Sequence, residues 1–250
     1  MESNAVVLPK DANMRFQTKT LYDQVADVFI SRILSGAWKP GPAIPGEQEL
    51  AADLNLSVGT VRKALDILER RKLIERRRGR GTFVVDHASG KVPSRFSALQ
   101  QGDGEIANAK AIVISTAIGS ATDEERNRLR LAEGEDCVRL CQVRLLNDEA
   151  FMVEEVSLPS RLFPHLLDTV PIPTRITSMT QRYGLLPDHA VEEVTVRALP
   201  EDAARDLGVD AGTAMLHIDR VVFTDKDRPL EWRRGYCKLG KHIRYRVAVS

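Results

Sequence analysis

A basic segment in the first third of this chain constrains its fold more than any other feature. Between Arg62 and Arg80 there are nine Lys or Arg residues against three Asp or Glu. The whole chain of 250 residues has a formal net charge of only +1. The positive charge is therefore segregated locally, which is typical of a surface that meets a polyanion.

The sequence around this segment predicts three helices. Residues 20–34 place apolar side chains at helical spacing after a Thr20 N-cap, and a second, shorter helix opens at Glu47. Ser57 is expected to cap a third helix that runs to about Lys72, because its hydroxyl can accept from a free N–H of the first turn.

Two short strands, "LIERR" and "TFVV", follow the third helix and are joined by "RGRG". Three helices and such a hairpin predict a winged helix-turn-helix, whose third helix fits the roughly 12 Å wide major groove of B-DNA. The basic block would gain free energy by releasing counterions from the duplex. The alternative interpretation is a solvated helix face followed by an ordinary hairpin.

The segment Leu21–Val84 resembles the DNA-binding domain of the GntR family of bacterial transcription regulators. The residues that carry the resemblance are "LYDQVADVFISRILSGAWKPG", "IPGEQELAADLNLSVGTVRKALDIL" and "GRGTFV". Gln48 and Val58 stand where the family usually has arginines that contact DNA. The expected DNA-binding residues are Gln48, Ser57, Val58, Gly59, Thr60, Arg62, Lys63, Arg76, Arg77, Arg78, Gly79, Arg80 and Gly81. We expect the arginines from Arg76 to Arg80 to supply much of the electrostatic affinity.

A second domain is predicted after a polar linker. The expected boundaries are 16–86 for the winged helix, 87–93 for the linker and 94–248 for the second domain. Six runs with alternating β-branched or aromatic residues predict an antiparallel sheet in an α+β domain. Helices are predicted at "TDEERNRLRL", "RLFPHLLDT", "PTRITSMTQRYG" and "PEDAARDLG". A weak repeat aligns "LRLAEGEDCVRLCQVRLLND" with "LGVDAGTAMLHIDRVVFTDK" and relates Glu154 to Glu231.

From about Ser94 to Tyr245 the chain resembles the UTRA domain, the effector-binding module of the HutC-like branch of the GntR family. The residues that carry this resemblance are "RLAEGEDCVRLCQVRL", "FMVEEVSLP", "QRYGLLP", "DLGVDAGTAMLHIDRVVF" and "RPLEWRRGYC". The resemblance implies an antiparallel sheet with a chorismate-lyase-like fold.

The same resemblance implies an effector site. In the family, an Arg-x-Arg strand and a helix start hold an anionic group, while two acidic residues accept from ligand hydroxyls or amines. The corresponding residues here are Arg144, Glu154, Thr174, Arg175 and Glu231. The plainer alternative is that Arg144 and Glu154 only pair with each other across adjacent strands.

Other side chains predict no further chemistry. The three cysteines, Cys137, Cys141 and Cys237, are too few for a disulfide framework and fit buried thiols in a reducing cytoplasm. The histidines are scattered without metal-ligand or nucleophile spacing, so we expect no metal, no cofactor and no catalytic residue. No apolar run approaches the roughly 20 residues that span a bilayer, and the N-terminus has no signal-peptide pattern.

These observations predict a ligand-responsive bacterial transcription regulator and not an enzyme. We expect a cytoplasmic homodimeric repressor that binds a pseudo-palindromic DNA operator and leaves it when a small anionic or polar metabolite binds. Two alternatives remain open at this stage. One is a lyase-like enzyme, because the implied fold also serves a lyase, and the other is a non-specific nucleic-acid-binding protein.

Overall fold

A computed structural model describes residues 19–87, 96–101, 104–105, 109–240 and 243–247. These residues fall into two compact units. The N-terminal unit contains the residues up to Arg32 together with Pro42–Val84, and the C-terminal unit contains Ile33–Gly41 and the residues from Val85 onward. Residues 88–93 of the predicted linker, and His242, lie outside the described residues.

The N-terminal unit consists of three helices and a two-stranded hairpin in the predicted order, except that the last two residues of the first helix, Ile33 and Leu34, belong to the C-terminal unit. These elements are α1 (Leu21–Leu34), α2 (Glu47–Leu54), α3 (Val58–Arg70), β1 (Ile74–Arg77) and β2 (Gly81–Val84). The third helix stops two residues short of its expected end at Lys72, which has a positive φ of 57°.

Local hydrogen bonds start the helices where the sequence predicts. Asp23 N donates to Thr20 Oγ1 at 3.4 Å, and Thr20 N donates back to Asp23 Oδ2 at 3.3 Å. Ser57 Oγ accepts from Thr60 N at 3.1 Å, which satisfies one free donor of α3. Between α2 and α3, Asn55 takes the left-handed conformation with φ 52° and makes the turn tight.

The apolar stripe of α3 faces the core of the N-terminal unit. Val61, Ala64, Leu65 and Leu68 are all at most 1% exposed. The polar side chains of the same helix are left on its outer face, because side chains three and four residues apart share one side of a helix.

The hairpin depends on glycine at its turn. β1 and β2 pair antiparallel with Arg77 opposite Gly81. Gly79 and Gly81 have φ values of 69° and 110°, which side chains bearing a Cβ adopt only with strain. The chain before α2 supports the hairpin, since Ile44 N donates to Thr82 O at 2.9 Å.

The C-terminal unit contains the remaining strands and three short helices. The strands are β3 (Leu99–Gln101), β4 (Gly104–Glu105), β5 (Lys110–Ser120), β6 (Asp136–Leu146), β7 (Glu149–Pro159), β8 (Pro187–Ala198), β9 (Ala214–Thr224), β10 (Pro229–Cys237) and β11 (Ile243–Tyr245). The helices are α4 (Asp123–Leu129), α5 (Ile176–Arg182) and α6 (Glu201–Leu207). The six longest strands are the six that the sequence predicts.

These six strands form one antiparallel sheet in the order β5-β6-β7-β10-β9-β8. Each half has the same plan of a strand, a short helix and two strands, and the halves join where β7 pairs with β10. This strand order agrees with the weak sequence repeat. A second, small sheet has the order β11-β3-β4.

Helices cover both faces of the six-stranded sheet. On one face α5 packs with Val138, Leu140, Val156 and Leu158. Successive side chains on a strand point to opposite faces, so Cys137 lies on the other face, where it packs near Leu129 of α4. Burial raises the pKa of the Cys137 thiol, and likewise that of Cys237, to about 12.

One predicted helix is wrong. The run "RLFPHLLDT" forms two single 3-10 turns, Ser160–Leu162 and Leu166–Asp168, and not an α-helix. Pro164 lies between them and cannot donate a backbone hydrogen bond, and His165 takes a positive φ of 59°. Together these two residues interrupt the helical pattern.

Glu125 connects α4 to two strands, β6 and β7. It is 4% exposed and accepts from Arg139 Nε at 2.8 Å, from Arg139 Nη2 at 2.6 Å and from Ser157 Oγ at 2.8 Å. It also closes a capping box with Thr122. Burial alone would raise the pKa of this carboxyl, but the bonds from Arg139, Thr122 and Ser157 outweigh burial and lower the pKa to about 2.

Glu125→Gln is expected to lower the free energy of unfolding by about 2 kcal/mol at neutral pH, because hydrogen bonds to a charged group are lost. The pKa of Glu125 is lower in the folded state than its unfolded value of about 4.3, so its ionised carboxylate stabilises the fold above that pH. This stabilisation is lost as the pH falls towards 2. Urea unfolding should therefore show the wild type and the variant converging between about pH 4.5 and 2. A constant difference over that range would contradict this role of Glu125.

Candidate functional site

Six of the thirteen sequence-predicted DNA contacts lie on α3 or its cap, Gln48 lies on α2, and six lie on the hairpin. Gln48, Ser57, Gly59, Arg62 and Lys63 are exposed, while Val58 and Thr60 are half-buried. The Ser57 and Thr60 hydroxyls lie 2.9 Å apart, so the cap and the first turn of α3 form one hydrogen-bonded unit. The face that would meet a duplex is accessible.

Carboxylates neutralise part of the basic segment. Arg62 Nε donates to Glu47 Oε2 at 2.9 Å. Arg76 Nη2 donates to Asp66 Oδ1 at 2.6 Å, and Arg76 also pairs with Glu69. Arg76 therefore connects the first strand of the hairpin to α3, which is a structural contact that its expected role on DNA did not include.

The hairpin tip keeps the more available cations. Arg77 Nε donates to Glu75 at 2.8 Å, and its guanidinium lies 4.5 Å from the centre of the Phe83 ring. Arg78 and Arg80 are exposed and make no side-chain hydrogen bond or ion pair with any described residue. Of the four hairpin arginines, these two are best placed to bind phosphates.

Replacing both Arg78 and Arg80 with alanine should weaken binding to any duplex and reduce the slope of log K against log salt by about 2 for each bound chain, one for each phosphate contact. Fluorescence anisotropy at several salt concentrations measures this slope.

The matched control is Arg205→Ala/Arg228→Ala, which removes the same charge from two exposed positions of the C-terminal unit. An unchanged slope in the hairpin variant, or an equal loss in the control, would contradict the assignment.

A cleft in the C-terminal unit holds most of the sequence-predicted effector residues. It opens on the α5 face of the six-stranded sheet. Its charged lining residues are Arg144, Glu154, Arg175, Glu192, Arg220 and Arg233. Its apolar lining residues include Leu99, Ala109, Phe151, Met152 and Ile218.

Glu154 is the centre of a buried ion-pair network beside this cleft. Its Oε2 accepts from Arg144 Nε at 2.6 Å, from Arg233 Nη1 at 2.7 Å and from Gln142 Nε2 at 2.7 Å. Burial alone would raise the pKa of Glu154, but Arg144 and Arg233 lower it to about 2. Arg144 and Glu154 therefore pair with each other and also line the cleft.

Glu231 and Thr174 lie behind the cleft and not on its wall. Glu231 is fully buried, and both of its oxygens accept from Arg233, each at 2.9 Å. Thr174 offers its backbone carbonyl, which accepts from Arg233 Nη2 at 3.2 Å. The helix begins at Ile176 with Arg175 at its N-cap, so Thr174 precedes the helix instead of starting it.

Two further arginines enter the cleft almost fully buried. Arg175 is 9% exposed, and its Nη2 donates to Ala109 O at 3.4 Å. Arg220 is 8% exposed, and its Nη1 donates to Glu192 Oε2 at 3.2 Å. Burial lowers the pKa of both guanidinium groups, helped by the charges of Arg144 and Arg233 at Arg175 and by that of Arg233 at Arg220.

The sequence did not identify Arg220, Arg233 or Glu192 as site residues. Arg220 lies opposite Arg233 in the pairing of β9 with β10, and Glu192 lies opposite Arg220 in the pairing of β8 with β9. Alternation along each strand could have given their face, but the strand order was also needed to bring them together.

Gly235 lies directly opposite Glu154 in the pairing of β10 with β7. A Cβ added there would lie 2.7 Å from Met152 Cε, 2.9 Å from Val153 O and 3.1 Å from Glu154 Cγ. The network around Glu154 therefore requires a residue without a side chain at position 235.

Two family models match the chain. Residues 21–84 match the bacterial regulatory proteins of the gntR family, and residues 107–242 match the UTRA domain. No helix among the described residues is long and apolar enough to cross a membrane.

Relatives and solved structures agree with these models. The uncharacterized HTH-type transcriptional regulator YurK of Bacillus subtilis is 28% identical over 88% of this chain and 89% of its own. The HTH-type transcriptional repressor STM4068 of Salmonella typhimurium is 26% identical over 86% of this chain and 91% of its own. The solved ligand-binding domain of a candidate GntR-family regulator from Bordetella bronchiseptica is 26% identical, covers 64% of this chain and all of its own, and superposes with a TM-score of 0.57.

The winged helix-turn-helix with its exposed α3, the six-stranded sheet with its charged cleft, and these matches lead to one conclusion. The chain belongs to the GntR family of bacterial transcriptional regulators, in the HutC-like branch, and is a ligand-responsive DNA-binding regulator with a UTRA domain.

Proposed function

We propose that this protein is a cytoplasmic, homodimeric repressor that leaves its operator when a small ligand occupies the cleft of the C-terminal unit. In this proposal residues 16–86 bind DNA, residues 87–93 link the domains, and residues 94–248 bind the effector and form the dimer. The observation that carries the proposal is a cleft with four arginines at Arg144, Arg175, Arg220 and Arg233. A cluster of buried cations is costly to maintain and suits the binding of an anion.

The DNA-binding role rests on the exposed face of α3 and on the hairpin tip. The proposed contacts are those expected from the sequence, which are Gln48, Ser57–Thr60, Arg62, Lys63 and the hairpin residues Arg76–Gly81. Arg78 and Arg80 would contribute the largest electrostatic share, because Arg76 is already paired with Asp66 and Glu69. One winged helix reads only a short half-site, so two chains related by a two-fold axis would read a pseudo-palindrome.

A regulatory ligand acts only through a difference in its affinity for two states of the protein. We propose that the effector favours a dimer pose that no longer matches the spacing of the two half-sites. We further propose that the protein does not convert its ligand, because Glu154 and Glu231 are held as ion-paired carboxylates by Arg233 and are poorly suited to proton transfer.

The central experiment is an operator titration. Duplexes selected from a random pool should yield a pseudo-palindrome bound at least about 1000-fold more tightly than random DNA. A panel of organic acids, amines and sugar phosphates should then contain a compound that weakens operator binding about tenfold or more. Arg144→Gln should keep operator affinity but lose this response.

The sign of the response and the fate of the ligand are both decisive. A compound that binds the cleft and tightens operator binding would contradict release. Proton NMR of the effector after prolonged incubation with the protein should show it unchanged. More product than protein would overturn the non-enzymatic assignment.

The edge strand β5 supports a dimer contact in the C-terminal unit. Ile112, Ile114 and Ile118 are 45%, 47% and 58% exposed, and Lys110 is the only charged residue of this strand. In the described part of the sheet no strand pairs with its outer edge. Long apolar edges are usually covered, and an antiparallel pair of identical edges satisfies two-fold symmetry.

Ile112→Lys/Ile118→Lys should therefore raise the dimer dissociation constant at least about tenfold in sedimentation velocity, because lysines on an edge oppose strand pairing. Val196→Lys, on the opposite edge strand β8 and 69% exposed, is the matched control and should leave the dimer intact. Dissociation by the control alone would assign the contact to β8 instead.

A further inference from the structure

The carboxylates of the cleft are already engaged by the protein's own cations. Both oxygens of Glu231 accept from Arg233, and Glu154 Oε2 accepts from Gln142, Arg144 and Arg233. The family resemblance implied that these two glutamates accept from ligand hydroxyls or amines. In this chain Arg233 already donates to both glutamates, and Glu154 Oε1 is the one oxygen of the two carboxylates that accepts no hydrogen bond from a described residue. A ligand rich in donors therefore has little to gain from Glu231.

The charge balance of the cleft favours an anion of low charge. Four arginines and two glutamates line it, and Glu231 behind Arg233 adds a third carboxylate. Among the described residues, these seven groups therefore carry one positive charge in excess. A carboxylate, with a single negative charge at neutral pH, balances this excess, whereas a phosphate monoester with a charge of −1.5 to −2 exceeds it.

Arg220 and Arg175 are the two cations that would gain most from a bound anion. Arg220 Nε is buried and has no hydrogen-bond acceptor among the described residues. Arg175 lies within the influence of Arg144 and Arg233, two like charges. An anion placed between Arg175 and Arg220 would supply the missing acceptor and offset this repulsion.

The rest of the wall is apolar. Phe151, Met152 and Ile218 are each between 4% and 5% exposed and line the same cleft as the arginines, together with Leu99. A ligand that fills this space therefore needs a hydrophobic body beside its anionic group.

We propose that the effector is a small amphipathic carboxylic acid. Its carboxylate binds between Arg175 and Arg220, and its apolar body packs on Phe151, Met152 and Ile218. Glu154 and Glu231 hold Arg144 and Arg233 and do not bind the ligand's carboxylate. This inference rests on the proposed function, because it assumes that the cleft is the effector site.

The experiment uses the full chain and a matched ligand series. The probes are 3-phenylpropanoate, 4-methylpentanoate, the neutral 3-phenylpropanamide, the cationic 3-phenylpropylamine and glucose 6-phosphate. At about 10 mM the two carboxylates should raise the melting temperature by about 3 °C, as expected for a dissociation constant near 1 mM. The amide, the amine and the sugar phosphate should shift it by less than about 0.5 °C.

Variants locate the binding site. Arg175→Gln and Arg220→Gln should each lose the shift given by 3-phenylpropanoate. The matched control is Arg234→Gln, which removes an arginine from the opposite face of β10 and should keep the shift. The wild-type ligand series decides the chemical class even if a variant does not fold.

The outcomes separate this inference from the proposed function. Stronger stabilisation by glucose 6-phosphate, lost in Arg175→Gln, would overturn the carboxylic acid and leave the effector site in place. Equal binding of the amide would overturn the role of the two arginines. Stabilisation by none of the probes would overturn both the ligand class and the assignment of the cleft as an anion site.

Discussion

The guanidinium of Arg233 between Glu154 and Glu231 is the interaction on which the C-terminal unit depends. Three charges are buried where the two halves of the sheet join, and each would be costly alone. Their pairing raises the pKa of Arg233 and lowers that of Glu154, so both stay charged at every ordinary pH. The seam of the sheet is therefore held by electrostatics and hydrogen bonds as well as by apolar packing.

The same ion pairs decide how the cleft can recognise a ligand. A carboxylate oxygen that already accepts three hydrogen bonds, such as Glu154 Oε2, is a poor acceptor for a ligand, whereas an almost buried guanidinium beside other guanidinium groups is a good donor. In the N-terminal unit the available cations are instead exposed ones at the hairpin tip. There Arg78 and Arg80 are exposed, while Arg62 and Arg76 are engaged by Glu47, Asp66 and Glu69.

Much of this architecture could be predicted from local patterns. The Ser57 cap, the α3 stripe and the Gly79 turn are set by interactions within a few residues, and alternation located all six long strands. The helix predicted around Pro164 is wrong because the helix-forming residues of the run were given more weight than the backbone N–H that proline lacks. The roles of Arg220 and Arg233 could not be predicted, since they depend on which strands are neighbours, and neighbours are set by long-range pairing.

The absence of a side chain at position 235 has an evolutionary consequence. A Cβ there would come too close to Met152, Val153 and Glu154, so a substitution at position 235 cannot be a source of new ligand specificity. Changes of specificity in descendants of this protein would have to arise on surrounding segments that tolerate replacement, such as the approach to α5 that carries Arg175. The pairing of β7 with β10 around Gly235 would then stay unchanged while residues at the edge of the cleft vary.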